Sequence, residues 1–241
     1  ERRFSMPWSK PSSRMREMVQ AVRTIWDCWQ TGDKLKFEGE FYNHTLMSPV
    51  FAPEPNKYGP PKIYIAGVGP LMTEVAAAVG DGYFLHPFNT ALSTDELSLA
   101  AITRGLDKSG KSRADYEVSA QVITATGLDE ESMQTAIASA RNQIAFYAST
   151  PAYLPVLQCH GWESLQADAN QMMRAGKWTQ LNDLIDDDIL NTFAVVGTPA
   201  EVAQKIAARY RGKVERISPV VYQPDVALLA ELRCQISSAV S

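Results

Sequence analysis

The chain has 241 residues, a net charge of −4 and an apolar share of 45%, an ordinary balance for a folded globular protein with a sizeable core. No basic block points to nucleic acid, no apolar run approaches the roughly 20 residues of a membrane-spanning helix, and the first residues carry no apolar signal-peptide core. Three scattered cysteines, Cys28, Cys159 and Cys234, suit a reducing cytosol rather than a disulfide framework, so a cytoplasmic location is expected.

The opening stretch, ERRFSMPWSKP, reads as irregular and Pro-rich. Residues 12–31 read as an amphipathic helix, because Met15, Met18, Val22, Ile25, Trp26 and Trp29 recur at spacings of three and four. Ser12 or Ser13 is placed to cap it and Gly32 to end it. Residues 35–47 suggest a short irregular hairpin anchored by Phe37, Phe41 and Tyr42, and a Pro- and Asn-containing loop runs from 48 to 61. Apolar runs at 62–66 and 82–85 read as strands around a helix over 70–79. A helix over 94–108, a strand over 116–126 and a long helix over 130–147 follow. Residues 150–190 read as a helical excursion punctuated by Pro151, Pro155, Gly161 and Gly176. A short apolar run at 193–196 precedes a helix over 200–210, with Thr198 as its cap and Pro199 in its first turn. The last strand is expected at 216–221 and the last helix at 226–236.

From residue 62 onward the rhythm alternates strand and helix, which predicts an α/β fold with parallel strands. Four strand–helix units begin at 62, 82, 116 and 216. A closed barrel of this type needs eight, over about 250 residues. The expectation is a partial (β/α)8 TIM barrel with a helical excursion at 150–190, all within a single domain spanning 1–241.

Few stretches carry chemistry. Gly67-Val68-Gly69-Pro70 ends a strand and opens a helix whose N–H groups favour an anion, and Thr73 adds a hydroxyl one turn in. No Gly-Lys-Ser/Thr follows, and Met72 stands where a dinucleotide fingerprint has its third glycine. The residues alone leave two readings open, a phosphate cradle or a plain strand-to-helix turn. His86 ends the strand 82–85, the face where parallel barrels bind ligands; it reads either as a ligand contact or acid–base group, or as a rim histidine with solvent or backbone partners. His44 and His160 stand in unrelated contexts, and Asp186-Asp187-Asp188 reads as a solvated loop or helix end, so no metal site is expected. No G-x-S-x-G elbow supports a hydrolase, and no catalytic side chain can be named. Phe146, Tyr147, Tyr153, Trp162 and Trp178 either roof an apolar pocket or simply pack the core. Arg216, at the start of the last strand, reads as structural.

The segment RFSMPWSKPSSRMREMVQAVRTIWDCWQTG followed by LKFEGEFY resembles the middle of the bacterial-luciferase-like flavin and deazaflavin oxidoreductases. The matching positions are Arg14, Glu17 and Trp26 on the helix and Gly39 and Tyr42 in the hairpin. The resemblance continues through PPKIYIAGVGPLMTEVAAAVGDGYF and FAVVGTPAEVAQKIAARY, and AFYASTPAY with the HGW triplet is most similar to the coenzyme F420-dependent subgroup. It implies a (β/α)8 barrel whose cofactor, F420 or alternatively FMN, sits at the strand C-termini, with the phosphate on the loop after the fifth strand. That loop maps onto Gly67, Val68 and Gly69.

On this resemblance the chain is expected to be the C-terminal portion of such a barrel, about strands five to eight, with Thr73 and His86 added to the cofactor site and a small organic molecule as substrate. The alternative is a non-catalytic half-barrel remnant that binds a small phosphorylated ligand or no cofactor at all; a hydrolase or isomerase re-using the rim is a third reading. The open edges of a half-barrel lead to the expectation of a homodimer.

Overall fold

The computed structural model describes residues 9–240, so most of the irregular stretch expected at the start, residues 1–8, lies outside the described residues. Helix α1, Pro11–Thr31, opens on its proline rather than on a serine cap. The proline ring presets the first helical φ, and Lys10 before it takes a left-handed φ of 41°, so Ser12 and Ser13 lie inside the helix. Gly32 ends α1 as expected, at φ 76° with its N–H on the Cys28 carbonyl at 2.9 Å.

Strands β1, Phe37–Glu38, and β2, Asn43–His44, form a minimal antiparallel hairpin. A carboxylate from α1 holds it. Glu17 accepts the N–H groups of Glu40, Phe41 and Tyr42 at 3.0, 2.6 and 2.7 Å, and the Arg14 guanidinium lies 4.5 Å over the Phe41 ring. A side chain on Gly39 would run into the Glu17 carboxylate, so that glycine is there for close approach. Partial burial pushes the Glu17 pKa up, but the three N–H groups and Arg14 outweigh it and hold it below 4.5. Stability from this group is therefore present above that value and lost as the pH falls through the lower folded one. Glu17→Ala is expected to lower the melting temperature at about pH 6 and much less at about pH 3. Equal losses at both would assign the clamp to packing rather than to the charged carboxylate.

Strand β3 is Tyr64–Ala66, helix α2 is Pro70–Val79 and strand β4 is Gly82–Leu85. The two short strands meet where the Ile63 carbonyl accepts from Asp81 and Gly82 at 2.7 and 3.3 Å. The next helix departs from expectation. It begins three residues early as α3, Ala91–Ser93, widens to a π-helical turn at Thr94–Leu99 and continues as α4, Ala100–Ser109. Thr90 and Ser93 cap one another reciprocally, which fixes the early start.

Strand β5, Glu117–Ala125, leads to α5, Glu130–Ala148, capped by Asp129 and Ser132. The excursion contains α6, Leu154–Gln158, α7, Glu163–Arg174, and α8, Asp187–Phe193. Asp186 caps α8 by accepting from the Ile189 N–H at 2.8 Å, so the aspartate triplet is a helix end. Phe193 closes that helix, and only Val195–Val196 forms strand β6. Helix α9, Pro199–Tyr210, carries the expected Thr198 cap, completed by Glu201. Strand β7, Arg216–Val220, and helix α10, Val226–Val240, end the described chain.

These elements divide into two compact units. The first, Glu1–Tyr83 with Ala101–Tyr116, packs α1 against α2. Arg23 of α1 reaches the Val79 carbonyl and Asp81 at 3.2 and 2.8 Å. Gly105 of α4 meets α2 at the Glu74 carbonyl, where a side chain would collide with it and with Ala77. The second unit, Phe84–Ala100 with Glu117–Ser241, is α/β with parallel strands. Its central strand β5 pairs with β7 from Ser119↔Arg216 to Ile123↔Val220, and its last two residues pair with β6. Arg216 salt-bridges Glu117 at 2.9 Å at the start of both strands, a structural position. The core joins Ile123 and Ala125 of β5 to Ile144, Leu157, Leu190 and Phe193, so the excursion helices are built into it. Among the described residues no helix is long and apolar enough to cross a membrane.

Candidate functional site

The first unit presents the glycine turn. Gly69 stands before α2 at φ 84° and ψ 157°, a conformation open to glycine and strained for other residues, and Pro70 follows at the first helical position. A Cβ built on Gly69 would meet nothing within 4 Å, so the space beside it is open. Val68 and Gly69 are exposed, and Gly67 is half-buried beside the Met72 side chain. Both glycine carbonyls are taken from inside. Tyr83 Oη donates to the Gly67 carbonyl at 2.6 Å, and Thr73 donates both its N–H and its Oγ1 to the Gly69 carbonyl, at 3.2 and 3.0 Å. Thr73 is only 3% exposed, and its oxygen also lies 3.0 Å from Tyr83 Oη. Its hydroxyl therefore braces the turn from beneath rather than facing outward. The N–H groups of Val68, Gly69 and Leu71 donate to nothing among the described residues, the ordinary state of a helix start.

The second unit holds His86, one residue past β4. Its Nδ1 accepts the Phe88 N–H at 3.1 Å, so in the neutral ring the proton sits on Nε2. That nitrogen lies 3.0 Å from Tyr153 Oη and donates to it. Tyr153 stacks on the imidazole at 4.7 Å, and Tyr147 meets it edge-on at 4.8 Å. Burial pushes the His86 pKa down to about 4, which keeps the ring neutral near pH 7. The histidine is thus a fixed-tautomer donor with backbone and phenol partners.

Asn89 anchors this arrangement. It donates to the His86 carbonyl at 2.5 Å and to the Gln121 carbonyl of β5 at 3.3 Å. Its Oδ1 accepts from Tyr210 and Thr94, at 2.9 and 3.1 Å. Among the aromatic residues of the excursion, Tyr147 and Tyr153 pack on Phe88 as well as on His86. Trp162 stacks on His160, whose Nε2 lies 2.9 Å from Thr90 Oγ1. Phe146 and Trp178 are exposed. Sequence reading missed Asn89 and Tyr222, polar residues shortly past the strand runs 82–85 and 216–221, and Thr126, which it read as the last residue of the strand 116–126 and which lies one past its observed end; polarity at a strand end was the available signal.

The structure thus places Gly67, Val68, Gly69 and Thr73 on one turn of the first unit and His86 in an aromatic cluster of the second. The family described as "Luciferase-like monooxygenase" matches residues 1–216. An uncharacterized protein of Mycobacterium tuberculosis is 46% identical over 220 residues, covering 91% of this chain and 65% of the relative. The 5,10-methylenetetrahydromethanopterin reductase of Archaeoglobus fulgidus is 30% identical over 213 residues, covering 85% of this chain and 58% of the relative. The chain therefore spans less than two thirds of the length of either curated relative. Among solved structures, the coenzyme F420-dependent tetrahydromethanopterin reductase from Methanopyrus kandleri superposes with a TM-score of 0.68 at 19% identity, over 93% of this chain and 60% of that one.

Proposed function

Because this chain belongs to the luciferase-like monooxygenase family, we propose that it is an oxidoreductase, or part of one, that moves a hydride between a deazaflavin (F420) or FMN and a small organic substrate. The family match over residues 1–216 carries this reading. The Archaeoglobus relative and the Methanopyrus structure, both reductases and the second F420-dependent, support the choice of chemistry.

The residues present fit the phosphate of such a cofactor at the glycine turn. With the Gly67 and Gly69 carbonyls held inward by Tyr83 and Thr73, the undirected donors are the N–H groups of Val68, Gly69 and Leu71, at the positive end of α2. The open space beside Gly69 lets an anion approach the backbone. When bound, the cofactor ring supplies the redox chemistry; the chain binds, orients and excludes water. Thr73 acts here as a positioning residue for the turn, and His86 lines the ligand side of the second unit.

The test compares Gly69→Asp with Gly69→Asn. The two side chains are nearly isosteric and carry the same backbone strain, so their difference reports the charge met by the ligand. Titrating F420 and FMN with fluorescence detection is expected to show Gly69→Asp binding at least about tenfold more weakly than Gly69→Asn. Equal affinities would remove the cradle assignment. Failure of the parent chain to bind either cofactor would remove the oxidoreductase reading itself and leave the non-catalytic half-barrel.

A further inference from the structure

A cavity of about 230 Å³ lies in the first unit, between the last turns of α1 and the proline-containing loop that leads into β3. Trp26, Trp29 and Gln30 stand on one face of α1, because residues three and four apart in a helix are neighbours. Gln30 fastens the loop to that face. It donates from Nε2 to the Asn56 carbonyl at 3.1 Å and accepts the Asn56 N–H on Oε1 at 2.6 Å. Within the loop, the Asn56 side chain accepts the Tyr58 N–H at 3.1 Å and its carbonyl takes the Gly59 N–H at 3.0 Å. Pro53, Pro60 and Pro61 complete the walls, and their rings fix the local backbone. The cavity therefore has its shape before any ligand arrives.

Its lining is aromatic and apolar with one charge. The Trp29 indole nitrogen is buried, so that ring offers the cavity carbon surface rather than its N–H. Trp29 also lines an adjoining cavity, and a flat ring that parts two cavities turns its faces to them. Neither Trp26 nor Trp29 carries a lysine or arginine over its ring among the described residues. Glu54 is the one charged residue on the lining. It is exposed and has no hydrogen bond or ion pair among the described residues; Lys57, three residues on, lies over the Tyr58 ring at 4.9 Å instead. Indole faces attract positive charge, and an unpaired carboxylate adds to that attraction. A small hydrated cation would lose its water against tryptophan and proline without gaining ligands. A quaternary ammonium group, whose charge is wrapped in methyl groups, loses little. We propose that this cavity binds a small quaternary ammonium compound, with its methyl groups on Trp26 and Trp29 and its charge balanced by Glu54.

The inference goes beyond the oxidoreductase reading and does not rest on it. The cavity borders the chain before β3 begins, whereas the glycine turn follows the end of that strand. It survives if cofactor binding fails, and it can fail while the cofactor binds. In the test, choline chloride is titrated into the full chain and its N-methyl proton resonance is followed. Neohexanol, the uncharged carbon isostere of choline, is titrated in parallel and followed by its methyl resonance. Methyl protons held over an indole face move upfield, a signature that loose attraction to a negatively charged surface does not give.

Choline is expected to bind saturably with an upfield shift, and neohexanol at least about tenfold more weakly. Trp26→Leu is expected to weaken choline binding about tenfold. Because that change also removes a half-buried ring, Glu54→Gln provides the variant that leaves the fold alone. Glu54 has no internal partner to lose, so Glu54→Gln is expected to keep the melting temperature, weaken choline about threefold and leave neohexanol unchanged. Damage to the fold would not separate the two probes in this way. The proposal is overturned if choline shows no saturable upfield shift up to about 100 mM, or if neohexanol binds as tightly as choline, which would reduce the site to apolar contact. It is equally overturned if Trp26→Leu and Glu54→Gln both bind choline as tightly as the parent, which would put the binding elsewhere.

Discussion

Replacing Asn89 with leucine is expected to destabilise the second unit by about 3–4 kcal/mol, measured by chemical denaturation. The residue is 4% exposed and serves four partners at once, the carbonyls of His86 and Gln121 and the hydroxyls of Tyr210 and Thr94. Leucine is close in volume, so little of the loss would come from a cavity. Each group left buried and unpaired costs about 1–3 kcal/mol, and some relax onto one another, which sets the lower total. The change would also free the His86 backbone, so the environment of the Tyr153 ring should alter before global unfolding. A loss under about 1 kcal/mol would mean that the four groups find other partners, and the anchoring role would fall.

Gly105→Val is expected to cost the first unit about 3 kcal/mol or more. Glycine in a helix interior is ordinarily a weakness of about 1 kcal/mol relative to alanine. Here it is required, because a Cβ would collide with the Glu74 carbonyl and come within 2.7 Å of Ala77 Cβ. Backbone cannot swing aside as a long side chain can, so α4 must retreat from α2. Glu74 also salt-bridges Arg104 at 3.2 Å and pairs with Lys108, so the retreat separates those pairs as well. Gly105→Ala is expected to be milder and of the same sign. A stabilising Gly105→Ala, the outcome for a glycine in an open helix, would show that the two helices have room to give.

The strands and helices between residues 64 and 85 were legible because short apolar runs met glycine and proline at both ends. The α9 helix was legible from its Thr198 cap and the proline after it. The early start of α3 was not, since it is set by the reciprocal cap of Thr90 with Ser93, and nothing in the residue pattern marks the π-helical turn at Thr94–Leu99. The Glu17 clamp was visible only as a matching pattern of residues; its meaning needed contacts across 23 to 25 residues of chain. Of the candidate site, the glycine turn and His86 could be picked out by their place after strands. Thr73 could be picked out too, but whether its hydroxyl faces inward or outward depends on Tyr83, ten residues on. Thr126 and Tyr222 could be noticed as polar residues at or just past the ends of strand runs, but not that their hydroxyls are buried without partners among the described residues, because a sequence shows residues rather than unmet bonds.

The brace beneath the glycine turn bears on when its order is acquired. Gly67 and Gly69, the residues with most backbone freedom to lose, are held at their carbonyls by Tyr83 and Thr73, side chains that belong to the folded unit. Their conformational entropy is surrendered as that unit folds, at the expense of its stability. A ligand arriving later meets a turn already in its final shape, so whatever affinity the backbone donors have is not diminished by a second ordering step.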